Sequence, residues 1–303
     1  MKKSIILSII SLFIIAGLSA QPVQEINEDA YLAYTDSREV TISLDSPPDR
    51  IVSLSPNISE TIFALDGSSL LVGRTDYCNY PEEVTAVPSV GDLMSPSLEK
   101  IISLEPDIVL VSTLGQNQTI EAIENAGIKV AYINESQSME GTYSLIEDVG
   151  ILIDRTQEAS QLIDGMKEEI DKVTERISRF QKKTVYYVAG FGQWGDFTAT
   201  GDTFLHEMIE LAGGINVARD ASNWTFSLEE LLEQDPQIII LPPTWGATFE
   251  QTKDAFISYE AYQSLSAVIN DSIYYVDGDI LNRQGPRSAH AVNLLSRVIH
   301  PEL

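Results

Sequence analysis

At 303 residues the chain is long enough for two domains with separate cores, and 44% hydrophobic content excludes wholesale disorder and a polytopic membrane protein. Its 45 acidic residues against 19 basic ones give a formal net charge of -26. That balance excludes nucleic acid and anionic lipid surfaces as partners, since both need a basic footprint.

Met1-Lys2-Lys3 gives a positive start, Ser4 to Gly17 is apolar and uncharged, and Leu18-Ser19-Ala20 places a small residue before Gln21. This is the pattern of an export signal over 1–20, cleaved rather than kept as an anchor, because a spanning helix needs about 20 apolar residues. No Cys stands near the cleavage point, so lipid attachment there is excluded and no membrane insertion is expected after cleavage. Cys78 is the single cysteine, which leaves no internal disulfide. With no Lys, Arg or His within three positions to lower its pKa, it reads as a packing residue.

Residues 21–47 form a polar extension with one edge strand at Glu39–Leu44 before Pro47-Pro48. Arg50–Ser55 is a buried-strand pattern closed by Pro56, Asn57 with Glu60 reads as a helix start, and Asp66-Gly67 as its stop. A strand at Leu70–Arg74, a helix from Ser97, a strand at Asp107–Ser112, a helix at Asn117–Ala126 and a strand at Lys129–Ile133 follow. From Thr156 to Phe180, Ala159, Leu162, Met166, Ile170, Val173, Ile177 and Phe180 recur at steps of three or four. About 25 helical residues make a rod of roughly 37 Å. Beyond it come strand Thr184–Ala189, helices at Thr203–Ala212 and Ser227–Leu232, strands at Gln237–Leu241 and Ser272–Val276, and a last helix from Pro286 to Ile299.

One phrase occurs twice. Ser97-Leu98-Glu99-Lys100-Ile101-Ile102 leads to Pro106-Asp107-Ile108-Val109-Leu110, and Ser227-Leu228-Glu229-Glu230-Leu231-Leu232 leads to Pro236-Gln237-Ile238-Ile239-Ile240. Each reads as a short helix, a Pro that ends it and a buried strand. The fold class is therefore α/β: two lobes, each a mostly parallel sheet flanked by helices, joined by one long helix with a ligand cleft between them. The expected divisions are a lobe over 48–153, the connecting helix over 154–182 and a second lobe over 183–303.

All three Trp stand in second-lobe loops beside these elements, where open α/β sheets bind ligands. Trp194, Phe197, Trp224 and Trp245 in that lobe, with Tyr77 and Tyr80 after the strand Leu70–Arg74, suggest an aromatic cleft for a large flat ligand. Gly190-Phe191-Gly192-Gln193-Trp194-Gly195 matches a dinucleotide fingerprint. Loop chemistry, Asp196 to Asp202, then follows where a helix should open, so an NAD(P)-dependent oxidoreductase is the weaker alternative. No phosphate-binding loop ending in Gly-Lys-Ser/Thr is present, so this chain should not hydrolyse ATP. The three His, His206, His290 and His300, form no metal-ligating pair. No catalytic residue, metal site or resident cofactor is expected, although one His or Tyr is enough to ligate a bound haem. Glu99 and Glu229 fit either of two roles, partner to a helix dipole or docking group, and Ser227 with Glu230 forms a capping box.

Arg50 to Glu60, Thr75-Asp76-Tyr77-Cys78-Asn79-Tyr80-Pro81, the double Ser-Leu-Glu phrase, and Gly285-Pro286-Arg287 with Ile299-His300-Pro301 resemble periplasmic binding proteins for vitamin B12 and iron chelates. The resemblance covers about residues 39 to 303. It implies a monomeric periplasmic receptor that delivers a metal chelate, as cargo, to an ABC importer: a permease dimer with its ATPase subunits. It also implies docking of Glu99 and Glu229 on permease arginines. The loop from Thr75 to Pro81 is most similar to the cobalamin branch. An aromatic residue of that branch falls near Leu93 here, which keeps ferric siderophore or haem as the alternative cargo.

Overall fold

The computed structural model describes residues 30–112, 116–192, 195–244 and 246–302. The export signal read from residues 1–20 lies outside them. β1 (Leu32–Thr35) and β2 (Thr41–Leu44) form an antiparallel hairpin, so the expected edge strand has a partner that its own composition did not announce. The buried Asp36 carboxylate accepts the backbone N–H groups of Arg38 (2.8 Å), Val40 (3.2 Å) and Tyr132 (3.1 Å), tying the hairpin to the first lobe.

That lobe contains β3 (Ile51–Ser53), α1 (Pro56–Ala64), β4 (Leu71–Thr75), β5 (Ser89–Gly91), α2 (Leu98–Ser103), β6 (Ile108–Ser112), α3 (Asn117–Asn125), β7 (Val130–Ile133) and α4 (Met139–Leu152). Its five strands pair in parallel in the order β5-β4-β3-β6-β7. Helices cover both faces, which is why β6 is buried at every position. The helix start expected at Asn57 is displaced: Ser55 is the N-cap of α1, and Asn57 instead accepts from Ser112 Oγ at 3.0 Å. Cys78 is buried and receives the Ser59 hydroxyl at 3.1 Å, as a packing residue should.

α5 (Thr156–Ile177) is the long helix, 22 residues or roughly 33 Å at 1.5 Å each. Its buried stripe is Ala159, Ile163, Met166, Ile170, Val173 and Ile177. Ile163 takes the place expected of Leu162, and the helix ends before Phe180, whose ring packs on His300 instead.

β8 (Lys183–Tyr187), α6 (Phe204–Leu211), β9 (Gly214–Asn216), α7 (Leu228–Gln234), β10 (Ile238–Ile240), α8 (Phe249–Ser258), α9 (Ser266–Ile269), β11 (Ile273–Tyr274), α10 (Gly278–Asn282) and α11 (Ser288–Ile299) make the second lobe. The order β11-β10-β8-β9 is again parallel. The repeat is structural as well as textual. Ser97 and Ser227 cap α2 and α7 by accepting the backbone N–H three residues on. Glu105 (φ 46°) and Asp235 (φ 40°) then turn left-handed just before each Pro, and β6 and β10 follow. The Ser227–Glu230 capping box is present.

α5 packs against α4 on one side and α11 on the other. One hydrophobic cluster runs from Ile58 and Ile62 in α1, through α4 and α5, to α6 and α11. The lobes therefore share a core, and no hinge of loop residues separates it.

Beside the hairpin, Glu135 and Asp148 share a partly buried site with Tyr34. Burial and the Asp148 charge push the Glu135 carboxyl up to about 7, and burial raises Asp148 as well. A carboxyl whose folded pKa is raised favours the native state below its unfolded value, and that contribution is lost as pH rises through the folded one. Thermal stability should therefore fall between about pH 4.5 and 7. Glu135→Gln should flatten that dependence, and a denaturation series across the range checks it.

Candidate functional site

A cavity of about 500 Å³ opens where β8, β10 and β11 end. Tyr187, Phe191, Leu241, Tyr275, Asp277 and Asp279 are among its lining residues. This is the carboxyl edge of a parallel sheet, where the backbone must leave the sheet and side chains turn towards the opening. The charged residues that line it are Asp277 and Asp279, and no Lys, Arg or His is among its described lining residues.

Several polar groups in the wall have structural tasks. Asp277 Oδ1 accepts the Asp279 N–H at 2.9 Å and caps α10. Asn282 Nδ2 donates to the Tyr187 hydroxyl at 3.1 Å, and burial pushes that phenol up to about 12, so it stays neutral. Burial raises the Tyr275 phenol too, helped by the charges of Asp277 and Asp279.

The fingerprint glycines serve a loop. Gly192 and Gly195 adopt φ of 88° and 101°, which a side chain would disfavour. The Gly192 N–H donates to the Tyr262 hydroxyl at 3.0 Å, and that hydroxyl donates to Asp196 Oδ1 at 2.5 Å. The next helix, α6, begins only at Phe204, so no helix N-terminus meets a phosphate at Gly195.

Of the aromatic residues expected at the cleft, Tyr77, Tyr80, Phe197 and Trp224 are not among the residues that line this cavity. Phe197 pairs by backbone with Gly190 and Thr225, and its ring crowds Gly190, which does line the cavity. Trp224 is held by the Thr200 hydroxyl, which accepts its N–H at 3.1 Å. Tyr77, Tyr80, Phe197 and Trp224 all keep 36% or more of their surface exposed. Trp194 and Trp245 lie outside the described residues. The aromatic lining that is present, Tyr187, Phe191 and Tyr275, comes from residues at or just past the strand ends, which alternation alone would assign to core or loop.

The lobes meet beside the cavity in a charge cluster that sequence reasoning missed. Glu60 of α1, with 3% of its side chain exposed, accepts Arg287 Nε and Nη2 at 2.7 Å each and Arg283 Nη1 at 3.0 Å. The Arg287 guanidinium also lies 4.1 Å over the Tyr80 ring, and the Tyr77 carbonyl accepts from Arg283 Nη2 at 3.2 Å. Gln284 Nε2 donates to the carbonyls of Ser136 (2.7 Å) and Ser138 (3.0 Å). Glu60 was read as part of a helix start. The signal that could have found it is a carboxylate among Ile58, Ile62 and Leu65, a face where burial demands a counter-ion.

Glu99 and Glu229 occupy the first turns of α2 and α7, exposed to solvent and outside the cavity lining. The three His sit elsewhere: His206 by Asn216, His290 by Glu169 and His300 buried against Gly213. Among the described residues no helix is long and apolar enough to cross a membrane.

Residues 51–280 match the family model described as "Periplasmic binding protein". An uncharacterized ABC transporter substrate-binding lipoprotein of Bacillus subtilis, YvrC, is 31% identical over 275 residues, covering 88% of this chain and 85% of that one. A cobalamin-binding protein of Halobacterium salinarum is 25% identical over 280 residues, covering 88% and 73%. Among solved structures, the periplasmic heme-binding protein RhuT of Roseiflexus sp. RS-1 superposes with a TM-score of 0.75 at 26% identity, covering 84% and 98%. The Bacillus relative is a lipoprotein by name, so the sequence reading that excludes lipid attachment does not extend to its relatives.

Proposed function

The chain belongs to the periplasmic binding protein family, substrate receptors of ABC transporters rather than enzymes, and from that premise we propose that its cargo is a cobalamin-type corrinoid. The reading is carried by the fixed charge of the cavity. Asp277 and Asp279 offer acceptors to the amide groups that fringe a corrin, while a carboxylate-bearing chelate would meet a charge of its own sign at Asp277. The aromatic surfaces of Phe191 and Tyr275 suit an extended macrocycle. The similarity to a cobalamin-binding protein over most of the chain supports the same cargo.

Haem is the second reading, favoured by the likeness to a heme-binding protein and by Tyr275, which is 49% exposed and lines the cavity as an oxygen donor. Burial, together with the charges of Asp277 and Asp279, opposes it, because it favours the protonated Tyr275 phenol when ferric iron needs the phenolate. Cargo would then be released to a permease dimer on which Glu99 and Glu229, one from each lobe, seat the receptor. Arginine is the fitting partner, since its planar fork grips a carboxylate with two hydrogen bonds.

Calorimetric titration with cyanocobalamin, haemin and a ferric siderophore tests the cargo. Submicromolar cyanocobalamin binding, about -8 kcal/mol or better, is expected. Silence with cyanocobalamin and heat with haemin or the siderophore would move the assignment to iron.

A further inference from the structure

α10 stands between the cavity and the interlobe cluster. Gly278, Asp279 and Asn282 line the cavity, and Arg283, just past the helix end, reaches into lobe one. Its Nη1 donates to Glu60 Oε1 (3.0 Å) and Asn79 Oδ1 (2.6 Å). Its Nη2 donates to the Tyr77 carbonyl (3.2 Å) and to Asp279 Oδ2 (2.7 Å). Asn79 Nδ2 donates to the same Asp279 oxygen at 3.0 Å. A carboxylate in the cavity wall is thus held by one residue from each lobe.

The two arginines divide the work. Arg287 faces Glu60 through both Nε and Nη2 and stacks on Tyr80, so Glu60 is compensated without Arg283. Arg283 is then the counter-charge of Asp279. Asp277 is left as the surplus negative charge of the wall, next to the helix start that it caps.

We infer that Arg283 determines cargo specificity: by bridging Asp279 to Glu60 and Asn79 it limits the cavity wall to one surplus negative charge, so that the site admits uncharged cargo. The inference rests on the cavity being the cargo site. Arg283 acts through Asp279 and is a positioning residue. Without it Asp279 becomes a second surplus charge, and the site turns towards cations.

The test compares dissociation constants for cyanocobalamin, which has no net charge, and aquacobalamin, which carries one positive charge, at low salt. Arg283→Met should shift the ratio towards aquacobalamin by roughly threefold to tenfold. Asp279→Asn should shift it the other way, and the Arg283→Met/Asp279→Asn double variant, with the wild-type charge count, should restore it. Arg287→Met should lower the melting temperature and leave the ratio within about twofold, because Glu60 does not line the cavity. Arg283→Met and Arg287→Met changing both constants alike, with the ratio unmoved, would make Arg283 a clamp and overturn the inference. If the wild type binds neither corrinoid, the cargo reading has failed and the same variants are measured with haemin and its dimethyl ester, which lacks the two propionate charges. There Arg283→Met must favour the ester, and an unchanged ratio overturns the inference again.

Discussion

Glu60→Gln is expected to cost about 3–5 kcal/mol of stability, the loss typical when one member of a buried ion cluster is removed. Three of the five interlobe hydrogen bonds made by its carboxylate and the two arginines depend on a full negative charge: Arg283 Nη1 on Oε1, and Arg287 on both oxygens. The arginine side chains are only 12% and 15% exposed, so water cannot replace the lost partner cheaply. The melting temperature should fall by roughly 6–10 °C. Denaturant unfolding of the variant gives the free energy directly. A loss under about 1 kcal/mol would mean that the cluster is solvated like a surface pair. Replacing Glu60, Arg283 and Arg287 together by apolar residues of similar volume should recover much of the loss, because no unpaired charge is then buried.

Glu99→Lys with Glu229→Lys is expected to abolish transport while leaving cargo affinity unchanged. Both side chains are exposed in the first turns of α2 and α7, and neither lines the cavity. Close charge pairs at interfaces contribute about 1.5–7 kcal/mol each, so two reversals should weaken the complex with the permease by 100-fold or more, roughly. The folded chain should lose only about 0.3–1 kcal/mol per site from the helix dipole. Uptake assays, run beside calorimetry on the same variants, separate the two effects. Uptake that survives the double reversal would sink the docking role. Rescue by acidic residues in place of the permease arginines would establish it pair by pair.

The strongest local signals are legible in the sequence itself. The repeated Ser-Leu-Glu phrase set caps, helix stops and buried strands in both lobes, and each step is a short-range effect of Ser, a left-handed residue and Pro. The stripe of α5 was legible because 22 residues sample six turns of one period. α4 was not, since Gly141 and Gly150 lower helix propensity. Their reason is tertiary: a Cβ on Gly150 would stand 2.6 Å from Ala159 of α5, and one on Gly141 would collide with the Ser136 carbonyl. β5 and β9 have three residues each, too few for alternation to register. The edge at which the cavity opens was legible, its lining was not. Strand-end loops pointed to the end of the second sheet where the cavity lies, whereas Glu60 has partners more than 220 positions away that no local pattern connects.

The core shared by α1, α4, α5, α6 and α11 bears on how such a receptor can be recombined. A lobe cut at the α5 boundary would carry half of an interface, because α5 and α11 pack on each other and each helps to bury the apolar stripe of its neighbour. Neither half is a transplantable module. A chimera that takes its first lobe from one receptor and its second from another would have to inherit the α5–α11 pair from a single parent, with the crossover placed in the strands and loops beyond it.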